Sequence, residues 1–214
     1  MSLAIALTEE SITAAVTSLC GREPRFLRVV RQHGVPSLRA MPEGLESLLQ
    51  IVTEQFLSLQ AAHAIWCRVR DCLVPVSGAG ILACPQQELM RLGLSAAKAK
   101  SFHGIARTVV AQPDFFTALP QQDDAAVRKA LVALPGVGPW TAEIYLLAAL
   151  ARSDAWPVGD LALRQAAADL FERPGVPNDK AMDVLGRPFS PWRAVVARLL
   201  WSHYRGLKGL QQAP

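Results

Sequence analysis

The chain has 214 residues, enough for one large or two small packed lobes, and is 51% hydrophobic and 19% charged, which excludes wholesale disorder. Lys and Arg outnumber Asp and Glu by 22 to 18, a formal charge of +4, so a polyanionic partner is permitted but not required. Cys20, Cys67, Cys72 and Cys84 form no C-x-x-C pair, which argues against structural zinc and a disulfide framework, and no apolar run approaches a membrane span.

The opening Met1–Leu7 is too short for a secretory apolar region before Thr8-Glu9-Glu10, so a cytosolic protein is expected. Strand signals are almost absent. Ala, Leu, Gln, Glu and Arg recur at helical spacing, and the pattern predicts helices over 8–20, 23–33, 43–52, 55–73, 85–92, 95–111, 123–134, 139–151, 160–171, 178–186 and 190–205. In the 95–111 segment Phe102, Ile105, Ala106 and Val109 fall on one stripe, and Trp66 lies in the middle of an apolar helix as a core residue. Joints are marked by Pro42, Gly78-Ala-Gly80, Pro113, Pro157 and Pro174-Gly175. The acid-free stretch after Arg187, with Arg193, Arg198, Arg205 and Lys208, reads either as a basic face or as an ordinary solvated helix.

The joint Leu134-Pro135-Gly136-Val137-Gly138-Pro139-Trp140-Thr141-Ala142 joins two amphipathic segments. Its glycines permit positive φ and close approach of a ligand, and Pro139 suits a first helical position, so the following amides would face an anion such as a phosphate. A plain helix–helix connector uses the same residue types, and both readings stay open on turn chemistry alone. Asp160, before the 160–171 segment, reads as a helix N-cap with Arg164 as its ion-pair partner one turn on. The histidines have no metal-ligand spacing.

The run from Leu134 to Ala142 resembles the hairpin of the helix–hairpin–helix DNA glycosylase superfamily. That family also carries a Gly/Pro-rich segment ending in a catalytic Asp, here Trp156-Pro157-Val158-Gly159-Asp160. Pro191-Trp192-Arg193 and Leu200-Trp201 resemble the 3-methyladenine DNA glycosylase II branch, and Ile51-Val-Thr-Glu-Gln55-Phe56-Leu57-Ser58 resembles that branch's helix pair facing DNA. The matches run from about residue 45 to 205. The resemblance implies an all-α, two-lobed bundle: a middle lobe over 45–155, a second lobe from 1–44 plus 156–214, and a catalytic cleft between them. Longer members carry a preceding β-rich domain, for which this chain is expected to have no room.

The activity implied is hydrolysis of the N-glycosidic bond of an alkylated base flipped out of damaged duplex DNA, with Asp160 as the anion that stabilises the cationic sugar. Trp140 and Trp192 match the family's base pocket, with Trp201 and Tyr145 as additional walls; Phe56 matches the intercalating wedge, with Gln55 and Ser58 beside it, and otherwise reads as a core aromatic. The DNA-contacting set is completed by Gly136, Val137, Gly138, Thr141 and Arg164. Members that also cut the backbone have a nucleophilic Lys where this chain has Trp140, so a monofunctional enzyme is implied, and no cysteine beyond Cys84 is present for an iron–sulfur cluster. No redox cofactor is expected, and a structural sodium or potassium ion would be held by carbonyls of Val132, Leu134 and Val137. A monomer without membrane contact is expected. Three rivals stay open: a glycosylase for deaminated, oxidised or mismatched bases, a non-catalytic helix–hairpin–helix DNA-binding protein, and a helical scaffold whose Trp residues bind protein.

Overall fold

The computed structural model describes residues 6–209. Among these there are thirteen α-helices and no strand; Ala6 and Arg152 form one isolated antiparallel bridge, closed by the Leu7 N–H on the Ala151 carbonyl at 2.7 Å. The helices fall into two compact units, one spanning Met41–Leu150 and the other, among the described residues, 6–40 with 151–209. The sequence reading places the divisions at 44/45 and 155/156.

The first unit holds α3 (Leu45–Glu54), α4 (Leu59–Cys72), α5 (Gly78–Ala83), α6 (Gln86–Arg91), α7 (Ala96–Ala111), α8 (Phe115–Ala118), α9 (Asp124–Val132) and α10 (Pro139–Ala148). Side-chain oxygens start several of them: Ser58, Ser77, Ser95 and Asp123 each accept the amide three residues on, supplying a partner to an amide that the helix cannot satisfy. Helix α7 packs on α3, α5 and α6, and α10 packs on α3 and α9. Of the stripe expected on α7, Phe102, Ile105 and Ala106 are buried at 0% exposure and Val109 is half-buried, and Trp66 of α4 is buried.

The second unit holds α1 (Glu9–Arg22), α2 (Arg25–His33), α11 (Leu161–Leu170), α12 (Asp179–Gly186) and α13 (Arg193–Leu207). Helix α13 is buried along most of its length and packs on α1, α2 and α11. Phe26 meets Phe171 and Phe189 edge-on, with ring centroids 6.0 and 5.3 Å away. Arg198 of α13 is buried at 6% exposure, and its Nε and Nη2 donate to the Leu38 carbonyl at 3.2 and 2.8 Å.

Three expectations are corrected. Residues 55–58 are not helical; the predicted 55–73 helix begins at Leu59, because Phe56 takes a left-handed φ of 57° that ends the preceding turn. Gly78-Ala-Gly80 is a helix rather than a joint: a Cβ on Gly78 would stand 2.9 Å from Val110 Cγ2 and 3.2 Å from the Ala106 carbonyl, so the missing side chain admits α7 at close range. The stretch after Arg187 is not an ordinary solvated helix: most of α13 is buried, Arg198 included, while Arg193 pairs with Asp154 and Arg187 with Asp183.

Tyr145 of α10 shows how α10 is tied to the entry of α3. Its ring is fully buried against Phe116, and its hydroxyl accepts the Gly44 N–H at 2.8 Å. Removing the hydroxyl in Tyr145→Phe should lower stability by about 1 kcal/mol in urea unfolding at neutral pH. Burial pushes the phenol up to about 12. An unfolded tyrosine ionises near 10, so the wild-type advantage should be whole below about pH 10 and fade as pH rises towards 12. A gap between wild type and variant that stays constant from pH 9 to 12 would contradict this assignment.

Candidate functional site

The hairpin between α9 and α10 is shaped by two glycines with different duties. Gly136 has φ +78°, and a Cβ on it would lie 2.0 Å from Ser101 Oγ, so the loop backbone rests directly on α7. Gly138, at φ −95° and ψ 178°, has open space where a Cβ would be. Val137 between them is buried at 5% exposure, and its N–H donates to the Leu134 carbonyl at 3.2 Å. The amides of Gly136 and Gly138 donate to no acceptor among the described residues. They stand at the start of α10, where first-turn amides also lack carbonyl partners and the helix dipole is positive. Glu143 of α10 binds Arg128 of α9 through both carboxylate oxygens, strapping the arms of the hairpin together.

Beside the hairpin, still within the first unit, is the turn that follows α3. Gln55 Nε2 donates to the Gly136 carbonyl at 3.0 Å and to Thr141 Oγ1 at 2.8 Å. Thr141 is buried at 1% exposure, and Gly136 lies against Ser101 of α7. The next residue, Phe56, is fully exposed at 103% and left-handed. A bulky residue in that region costs about 1–2 kcal/mol, and an exposed phenyl ring returns no burial. The core reading of Phe56 is therefore wrong. Ser58 is exposed and caps α4. Lys98 of α7 completes the turn, its ammonium donating to the Thr53 and Gln55 carbonyls at 2.8 and 2.7 Å.

Asp160 lies in the second unit, half-buried at the head of α11. Its Oδ1 accepts the Leu163 amide at 2.8 Å and the Trp201 indole N–H at 3.1 Å. One donor comes from α11 and the other from α13, so the packing of these two helices sets the position of the carboxylate. Trp192, the residue before α13, is half-buried on a turn that is clamped from behind. Arg193 Nε and Nη2 bind the two oxygens of Asp154 at 2.8 Å each, and Ser190 Oγ donates to Oδ2 at 2.9 Å. Burial alone would push Asp154 up, but Arg193 and Ser190 outweigh it and hold the carboxyl below the usual carboxylate range.

Several expected site residues are placed differently. Tyr145 is a core residue with no exposed surface, not a pocket wall, because its ring and hydroxyl are both used inside the first unit. Arg164 Nη2 binds Asp179 Oδ1 at 2.6 Å, and Asp160 receives Trp201 instead of the expected arginine pairing. Gln55 turns its amide group to the hairpin rather than outward. Trp140 is half-buried at the second position of α10. Among the described residues no cluster of His, Cys, Asp and Glu could hold a metal ion, and no helix is long and apolar enough to cross a membrane.

No family model matches the chain. It is 29% identical over 220 residues to DNA-3-methyladenine glycosylase 1 of Schizosaccharomyces pombe, covering 94% of this chain and 92% of that protein. The fold superposes on the 3-methyladenine DNA glycosylase of S. pombe solved with abasic DNA, with a TM-score of 0.78 and 25% identity over 88% of this chain and 95% of that one. A DNA-3-methyladenine glycosidase of Bacillus halodurans gives 0.76 and 25% over 91% of each chain. The chain is thus similar, in sequence and in fold, to 3-methyladenine DNA glycosylases over nearly its whole length.

Two features of this glycosylase fold are not in the sequence reading. The Trp201–Asp160 bond depends on how α13 packs on α11, for which 41 residues of separation give no local cue. Lys98 had a cue: a cation in the first turn of a helix opposes the dipole, so its presence there asks for a partner elsewhere.

The two glycines predict different outcomes. Gly136→Ala should destabilise the protein by about 1–3 kcal/mol, through left-handed strain and the clash with Ser101. Gly138→Ala should change stability by less than about 0.5 kcal/mol. Adding Ser101→Gly to Gly136→Ala should recover part of the loss, read as midpoint shifts in denaturant; no recovery would show that the Ser101 contact does not matter.

Proposed function

We propose that this chain is a monofunctional DNA glycosylase that hydrolyses the N-glycosidic bond of alkylated bases in duplex DNA and leaves an abasic site. The observation that carries the proposal is Asp160, fixed through one oxygen by a helix amide and an indole N–H, in the position that matches the family's catalytic Asp. As the base departs, the sugar becomes an oxocarbenium ion, and a carboxylate held in place stabilises that charge without reorganising. The same carboxylate can orient the attacking water. Trp201, expected as a wall, serves here to hold the carboxylate's direction.

The other parts follow from the geometry. The open amides around Gly136 and Gly138 suit a phosphate oxygen of the bound strand, and Phe56 suits the gap that an extruded base leaves in the stack. Trp192 and Trp140, each half-buried, are the residues proposed to stack on the base. Alkylated purines often carry positive charge, which adds a cation–π attraction of about 0.5–2 kcal/mol to such stacking. Trp140 occupies the position of the lyase lysine, so no Schiff base forms there. A monovalent cation would be held by the Val132, Leu134 and Val137 carbonyls, neutral oxygen donors at the negative end of α9, and would lend positive charge to phosphate binding. We further propose a cytoplasmic monomer; the four free cysteines support a reducing compartment.

The test is base release over a panel of alkylated, deaminated and oxidised duplexes, with Asp160→Asn as the control. Asn caps helices as well as Asp does, so the variant should stay folded within about 1 kcal/mol. It should bind DNA as the wild type does, yet lose roughly a hundredfold or more in release rate. DNA binding without release by the wild type would leave a non-catalytic binding module, and release only of deaminated or oxidised bases would move the substrate class.

A further inference from the structure

The geometry points to Lys98 as the positioning residue that aims the Phe56 wedge, an inference that rests on the glycosylase function proposed above. Helix α3 ends without the usual left-handed glycine. Gln55, its C-cap, is extended at φ −52° and ψ 128°, and Phe56 after it takes φ 57°. The carbonyls of the last turn therefore need donors from outside the helix. Leu57 N–H reaches the Glu54 carbonyl at 3.2 Å, and the Lys98 ammonium takes the carbonyls on either side of it, Thr53 and Gln55, at 2.8 and 2.7 Å.

Three consecutive carbonyls are thus satisfied, two of them by one cation from a different helix. The charge at the negative end of α3 is favourable, while the same charge is unfavourable at the start of its own helix α7. Lys98 is half-buried, and burial pulls its ammonium below the usual lysine range, so it has exchanged water for these carbonyls. Its donor role thus lies at the turn and not in the stability of α7.

Gln55 connects this grip to the hairpin. Its carbonyl is held by Lys98 and its side-chain amide by Gly136 and Thr141, so backbone and side chain of one residue are pinned immediately before the exposed ring. With the Lys98 donor removed, the peptide between Gln55 and Phe56 can rotate, and the ring loses its direction. Lys98 then acts on the substrate only through Phe56.

The experiment compares wild type, Lys98→Met, Lys98→Arg and Phe56→Ala on duplexes carrying one 7-methylguanine. The lesion is either paired with cytosine or placed opposite a tetrahydrofuran abasic analogue, which opens the stack in advance. Lys98→Met should slow release from the paired duplex by about tenfold or more and from the pre-opened one by less than about threefold, the pattern of Phe56→Ala. Lys98→Arg, which keeps a donor, should stay within about threefold of wild type on both. Hydrogen exchange of the free protein should show faster exchange at 54–57 in Lys98→Met and not in Lys98→Arg. Equal losses on both duplexes, no loss on either, or unchanged exchange at 54–57 overturns the role of Lys98. Wild type that releases no base while the exchange pattern holds overturns the glycosylase reading and leaves the structural role of Lys98 standing.

Discussion

The side-chain amide of Gln55 is the contact on which the architecture of the first unit turns. It donates at once to the Gly136 carbonyl, in the middle of the hairpin, and to Thr141 Oγ1, in the first turn of α10. Two backbone features of opposite character are thereby held in one register: a loop with free amides, and a turn that projects an aromatic ring into solvent. Neither is stable in its shape by local preference. Gly136 needs the surface of α7 beneath it, and Phe56 needs its flanking carbonyls held. A hydrogen-bonded bridge does this better than apolar packing, because its direction and length are both specified.

The second unit meets a different demand with similar means. Under the proposed function the Asp160 carboxylate faces a cationic sugar, and it must be anchored without losing its charge. Two of the donors to Asp160 Oδ1 are an amide and an indole, both neutral, while the nearby arginine, Arg164, is bound to Asp179. Arg193 is likewise occupied, bound to Asp154 where it secures the Trp192 turn. Asp154 and Arg193 pair to build the scaffold, while an amide and an indole fix the direction of Asp160 Oδ1.

Much of this was legible in the sequence, for identifiable reasons. Helix existence followed from apolar spacing, and the cap at Asp160 was legible because its signal lies within three residues. The hairpin was legible because Gly and Pro constrain the backbone locally. What could not be read depends on contacts across the chain. Tyr145 sits on an aromatic, helix-forming stretch that would serve equally as pocket or core, and only the contact with Gly44, 101 residues away, decides for core. Gly78 reads as a loop residue until the closeness of α7 shows that it is there to remove a side chain. The 55–58 turn was hidden because Gln, Phe, Leu and Ser are acceptable in a helix, and no glycine marks the left-handed position.

That last failure carries information. Left-handed backbone at a phenylalanine opposes intrinsic preference, and full exposure of its ring opposes the hydrophobic effect. A fold selected only for stability would relieve both, for instance with Gly or Asn at position 56, at no loss of packing. The chain instead commits Lys98 to keep the arrangement, although that cation also opposes the dipole of its own helix. The left-handed backbone is held by contacts from elsewhere in the unit, whereas the exposure of the ring is not offset within it. Under the proposed function the gap left by a flipped base, apolar and flat, takes up the exposed ring and supplies the term that the isolated chain lacks.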